Sequence, residues 1–340
     1  MEKQVSVRKS YKSRNRNFNF TVMIMFFVLS LFTIIFSFML IWALINSFKS
    51  PMQWEAREYM QLPNYRNPLW TTKEMSYINN VAYYSNYWPH MLHNYTKVIN
   101  VMPGKAMAQY YAGWNLNVKM PTDYINNSMF IMIFNTLFYS IVGSLIIAVV
   151  PCVVGYLAAK YPYKFSTLLY VITLFVMVMP LVGTEPARIK LLCRLYLFDT
   201  MWGDFIVNFT FANMYFLVFY AFYSGVSGTY AEAAEVDGAS QLRTMVQIIM
   251  PLASKMISTV TLIFFIGRWN NYSTPLVYMP NHWMISYRLY LITNTNANAY
   301  LTDDPSRIAA AMIIVVPILI VFVALRNKIM GNISIGGIKE

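Results

Sequence analysis

Long apolar runs alternate with polar connections from one end of this chain to the other. The apolar runs cover about Phe20 to Ile45, Met129 to Ala159, Thr167 to Val182, Phe205 to Tyr223, Ile257 to Tyr278 and Ile308 to Leu325. Roughly 20 apolar residues cross the hydrocarbon core of a bilayer. The pattern therefore predicts an all-α membrane protein with six spans. It divides the chain into residues 1–17, a first span at 18–47, a long polar connection at 48–128, a core of five spans at 129–328 and a short tail at 329–340.

The polar interruptions carry the chemistry. Tyr230 to Pro251 has the densest helix-capping signals in the chain. Ala231 to Val236 are mostly good helix formers, and Gly238 can take the left-handed conformation that ends such a helix. Ser240 can cap a second helix, and Pro251 is expected to close it. In that second helix Leu242, Met245, Val246 and Ile249 fall on one apolar stripe. The segment reads as a helix-turn-helix bracket between two spans. Within the spans, Asn208 and Asn213 interrupt the fourth, and Arg268, Trp269, Asn270 and Asn271 interrupt the fifth. Polar groups in a span are functional candidates because their desolvation is costly. Asn213, Trp269, Asn270 and Asn271 offer the amides and the aromatic face that suit a sugar path. The competing reading is hydrogen bonding that only holds the bundle together.

Composition and charge fit this picture. Of 340 residues, 57% are hydrophobic and 12% charged, against about 45–50% and about 25% in soluble domains. The net charge is +12, and the densest basic cluster, Lys3, Arg8, Lys9, Lys12, Arg14 and Arg16, lies beside the first span. Placed there, it is a topology signal rather than a nucleic-acid footprint, so no nucleic acid is expected as a partner. It puts the N-terminus in the cytoplasm, and Lys160 with Lys164, then Arg326 with Lys328, mark further cytoplasmic ends. Both termini and the bracket then lie inside. The 48–128 connection lies outside, either as a cap over helix ends or as a docking surface rich in Tyr and Trp. His90 and His93 lack the further ligands of a zinc site, and Glu185 with Arg188 reads as a solvated helical pair. Phosphate-loop, H-E-x-x-H and G-x-S-x-G patterns are absent from the sequence. The expectation is a non-enzymatic chain without cofactor or metal.

The bracket resembles the cytoplasmic signature of binding-protein-dependent ABC importer permeases, E-A-A-x-x-x-G, nine residues, then I-x-L-P. The matching residues are Glu232, Ala233, Ala234, Gly238, Ile248 and Pro251, with Met250 in place of Leu. Asp237 and Ala239 around the glycine are typical of the carbohydrate branch. NTLFYSIVGS, LYLFDTMWG, RWNNYSTPL and the tail MGNISIGGIKE resemble further segments of sugar permeases. Departures are Tyr196 for a glycine, Asn271 for an acid, Ser227 for a proline, and a longer 48–128 connection.

The resemblance implies a type I permease fold in a bacterial cell membrane, with the bracket as a coupling helix. Glu232, Ala233, Ala234, Asp237, Gly238, Ala239, Ile248 and Pro251 would form its contact with an ATPase. Implied partners are a second homologous permease, two cytoplasmic ATPase subunits, an extracytoplasmic solute-binding protein and membrane lipid. The cargo would be a mono- or oligosaccharide. An amphipathic helix on the membrane surface is the plainer reading of the bracket, but its first half is acidic rather than basic. Two rival functions are an ion-coupled secondary transporter acting alone and a membrane sensor with an outer ligand loop. The first calls for intramembrane acids or an inverted repeat, and the second gives the bracket no task.

Overall fold

The structure is a computed structural model that describes residues 20–63, 92–106, 125–161, 163–179, 183–294, 301 and 303–330. The basic N-terminal cluster, Trp88, His90, Pro162, Pro180 and the GGIKE tail lie outside the described residues, as does most of the 48–128 connection.

One compact unit comprises residues 1–94. It holds α1 (Phe20–Ser47) and α2 (Pro51–Glu55). Asn46 and Ser47 turn their side chains back onto the carbonyls of Trp42 and Leu44 at the end of α1. Trp54 packs between Trp42 and Tyr59, with ring centroids 6.0 and 4.7 Å away. The Lys49 ammonium is folded in to bond the Glu58 carbonyl at 2.6 Å, and burial pulls its pKa down.

The second unit comprises residues 95–340. The helix α3 (His93–Val101) leads into it, followed by a two-stranded antiparallel ribbon of β1 (Gly104–Ala106) and β2 (Ile125–Asn127). Then come α4 (Met129–Lys160), α5 (Lys164–Val178), α6 (Glu185–Arg194), α7 (Met201–Val207) and α8 (Met214–Gly225). The bracket follows as α9 (Thr229–Val236) and α10 (Gln241–Leu252). The chain continues through α11 (Ser254–Asn270), α12 (Ser273–Tyr278), α13 (Ile285–Asn294) and α14 (Asp304–Met330).

The long helix α4 is the spine of this unit. Ser128 caps its start by accepting the Ile131 N–H. Towards that end Met132 and Tyr139 join Phe205, Tyr278, Trp283, Met284, Leu289 and Ile292 in one buried cluster. Towards the other end Ala148, Cys152 and Tyr156 join Phe219, Tyr223, Ile249, Ala253 and Val260 in a second. Gly155 lets α8 come close: a Cβ there would lie 3.0 Å from the Phe219 Cβ and 3.1 Å from the Tyr220 nitrogen.

Three helices are long and apolar enough to span, within α1, α4 and α14, or four if the α10–α11 pair, bent by 73°, counts as one. The expected third span is a helix over Lys164–Val178, which at 15 residues reaches about 22 Å. The expected fourth and fifth spans are not continuous. The fourth stops at Val207 and restarts at Met214; the fifth stops at Asn270 and restarts at Ser273.

Side-chain chemistry explains both breaks. Asn208 donates back to the Asp204 carbonyl at 2.8 Å, and Asn213 accepts the Tyr215 and Phe216 N–H groups at 2.9 and 3.3 Å. They are a helix stop and a helix N-cap rather than residues inside a span, because such side chains offer the backbone a local alternative. At the second break Pro275 lacks the N–H that would bond the Asn271 carbonyl four residues back. The Ser286 hydroxyl bonds that carbonyl instead, at 2.9 Å.

Candidate functional site

The bracket is built as its capping residues dictate. Asp237 ends α9, and Gly238 follows with φ of +76°. The Gly238 N–H bonds the Glu235 carbonyl at 3.0 Å, and the Ala239 N–H bonds the Ala234 carbonyl at 2.9 Å. These are the two bonds of a Schellman motif, which needs a left-handed residue at the glycine. Ser240 then caps α10 by accepting the Arg243 N–H.

The apolar stripe of α10 divides into two. Ile249 is buried against α4 and α8, whereas Leu242 and Val246 are 68% and 50% exposed, and Val236 at the turn is 88% exposed. Glu232, Glu235 and Asp237 are exposed around them, while Ala234 is buried. The exposed side chains of the bracket therefore include three large apolar groups and three acids, with Arg243 also exposed and donating to Gln247. The Tyr161 hydroxyl donates to Gln241, and the Lys160 ammonium donates to the Val226 carbonyl. These bonds join the bracket and its approach to the end of α4.

The second helix closes one residue past Pro251. The helix runs through it to Leu252 and then bends into α11. A π-turn over Met245–Ile249 precedes the proline, with the Met250 N–H bonded to the Met245 carbonyl. The wider turn relieves the crowding that a proline imposes on the preceding turn.

The polar residues at the breaks face different surroundings. Trp269 is buried, and its indole N–H donates to the Ile314 carbonyl on α14 at 3.1 Å. Its neighbour Asn270 is exposed and bonds the Ile266 carbonyl. Asn271 accepts the Thr274 N–H at 3.0 Å and donates to the Thr274 hydroxyl at 2.8 Å. Asn213 is spent on capping α8. The four sequence candidates for a path thus hold helix ends or link helices, and Asn270 alone of them is exposed.

One feature escaped the sequence reading. Arg268 pairs with Asp204 at 2.8 Å, and both side chains are buried. The guanidinium carbon lies 4.6 Å from the centroid of the Tyr139 ring, and Asn208 donates to the other Asp204 oxygen at 2.9 Å. An acid four residues before an asparagine was the available signal. A second polar cluster binds Asp199, with φ of +58°, to the Asn281 N–H and side chain at 3.1 and 2.7 Å and to His282 at 3.4 Å. Arg288 bonds the Met102 and Val101 carbonyls at the end of α3 and lies over Trp283. Lys97 pairs with Asp303.

No family model matches the chain. It is similar to the arabinooligosaccharides transport system permease of Bacillus subtilis, 21% identical over 206 residues, covering 61% of this chain and 72% of that protein. It is also similar to the diacetylchitobiose uptake system permease of Streptomyces coelicolor, 25% identical, covering 54% of this chain and 61% of the relative. A multiple sugar-binding transport system permease of Streptococcus mutans is 30% identical over 41% of this chain and 50% of its own length. Among solved structures, a chain of a bacterial ABC transporter involved in import of the acidic polysaccharide alginate has a TM-score of 0.48 at 20% identity, covering 73% of this chain and 99% of that one. By sequence, this chain is similar to permease proteins of sugar transport systems and to ABC transporter permease proteins.

Proposed function

We propose that this chain is the membrane-spanning permease subunit of an ATP-driven importer for a mono- or oligosaccharide, coupled to a cytoplasmic ATPase through residues 230–251. The observation that carries the reading is the outer face of the bracket. Val236, at the Schellman turn, and Leu242 and Val246, on α10, are all exposed, as are Glu232, Glu235 and Asp237. Such a face suits a cleft with an apolar floor and a basic rim, and charge complementarity would set its register. Ile249 and Ala253 root the other face in the α4–α8 core. Movement of the bracket would therefore be carried into α8 and α11, as coupling through packed elements requires.

On this reading the chain crosses a bacterial cell membrane six times with both termini inside. The short α5 and the broken fourth and fifth segments count among the six. It pairs with a second, homologous permease and two ATPases, and it receives sugar from an extracytoplasmic binding protein. The 129–328 region is the transport core, and the 48–128 connection is an extracytoplasmic elaboration.

The test is to co-express the chain with a second permease and an ATPase of a sugar importer from the same cell, then purify through this chain. Leu242→Asp with Val246→Asp should remove the ATPase from the purified complex while the second permease is retained. An ATPase that stays bound at wild-type level would overturn the reading.

A further inference from the structure

Both interrupted spanning segments have a partner in one buried ion pair, placed a turn before each interruption. Asp204 lies four residues ahead of Asn208, where α7 ends, and Arg268 lies three residues ahead of Asn271, where α11 ends. Arg268 Nη1 is 2.8 Å from Asp204 Oδ2, with the two side chains 7% and 5% exposed. The helix stop itself holds the pair, because Asn208 donates to Asp204 Oδ1 at 2.9 Å. On the opposite side the guanidinium rests on the Tyr139 ring of α4. Gly143, one turn along α4, makes room for it: a Cβ there would come within 2.4 Å of the guanidinium.

As a device for stability alone this is a poor choice. A single-pronged contact leaves Arg268 Nε buried without a hydrogen-bond partner among the described residues. Buried pairs are often matched or bettered by apolar residues of similar size. A planar, directional guanidinium does, however, fix geometry in a way that apolar packing does not. We propose that Asp204 and Arg268 are positioning residues for transport. They hold the 208–213 and 271–272 interruptions in register against Tyr139 and Gly143 of α4, so that the two segments move as one during the cycle. This rests on the permease reading above.

The test uses the whole complex in inside-out and right-side-out membrane vesicles. The probes are labelled arabino-oligosaccharides and diacetylchitobiose, with ATP hydrolysis measured in parallel. Asp204→Asn and Arg268→Gln should each lower uptake by about tenfold or more, within the range of mutations that disturb coupling away from a site. The Asp204→Asn, Arg268→Gln double variant removes the stranded charge. It should match the wild type in membrane abundance and ATPase binding, yet still take up sugar about tenfold more slowly while hydrolysing ATP. Wild-type uptake by the double variant would overturn the proposal and leave a merely structural pair. Gly143→Ala is the second arm. It keeps both charges but displaces the guanidinium, so normal abundance with slowed uptake is expected, and unchanged uptake would overturn the proposal. A wild-type complex that binds no ATPase would count against the permease reading instead.

Discussion

The bracket and the two interrupted segments are all polar stretches set into apolar sequence, yet they spend their polar groups in opposite ways. At the breaks, Asn208, Asn213, Asn271 and Arg268 are bonded to the backbone or to side chains of the same unit. In the bracket the backbone is satisfied by the Schellman and N-cap bonds, which leaves the acids and three apolar side chains facing outward. Polar groups consumed inside the chain set positions. A well-capped turn with an exposed apolar centre is suited to another protein. The contrast separates where this chain shapes itself from where it would be gripped.

The largest expected effect is on the gripped side. Gly238→Val forces a β-branched residue into a left-handed conformation at φ of +76°, which costs about 1–2 kcal/mol and distorts the turn. Uptake should be lost while ATP hydrolysis persists, measured in vesicles containing the full complex. Coupled transport at the wild-type rate would remove the distinction drawn here.

On the inward side, Trp269→Ala opens a cavity and removes the indole bond to the Ile314 carbonyl, at a cost of roughly 3–5 kcal/mol. Membrane abundance and thermal stability should fall together with uptake. A residue that only lined a path would lose uptake at full abundance, so a normal melting temperature for that variant would return Trp269 to the path.

The smallest effect concerns Asp303. Burial alone would raise its pKa, but the hydrogen bonds from Lys97 and Ser306 and the Lys97 charge outweigh this and hold it below the ordinary carboxylate range. A depressed folded pKa contributes stability that is present above the unfolded value, near 4, and is lost as pH falls through the folded value. Asp303→Asn should therefore lower the melting temperature slightly at pH 7, by the equivalent of about 1 kcal/mol, and the difference should be smaller at pH 3. An equal difference at both pH values would deny the ion pair its part.

The bracket was legible from sequence because helix capping is local. Glycine, serine and the acids lie within a few residues of the backbone groups they serve. The span count was less so. A hydropathy pattern registers apolar content but not helical continuity, so Asn208 and Asn213 read as guests in a span when they in fact stop one helix and start another. Asn271 and Pro275 hid the second break in the same way. The Asp204–Arg268 pair was invisible for a different reason: its members are 64 residues apart and belong to no common period. Pro251 marked the end of α10 to within one residue, while the π-turn just before it had no sequence signal.

The most direct test of the bracket as a handle is a cross-link from its tip. Val236→Cys, at a position 88% exposed, should be joined to the ATPase by a short thiol-to-amine reagent in vesicles, with a yield that changes when ATP is added. An ATPase that co-purifies with the chain yet never cross-links from position 236 would contradict the assignment.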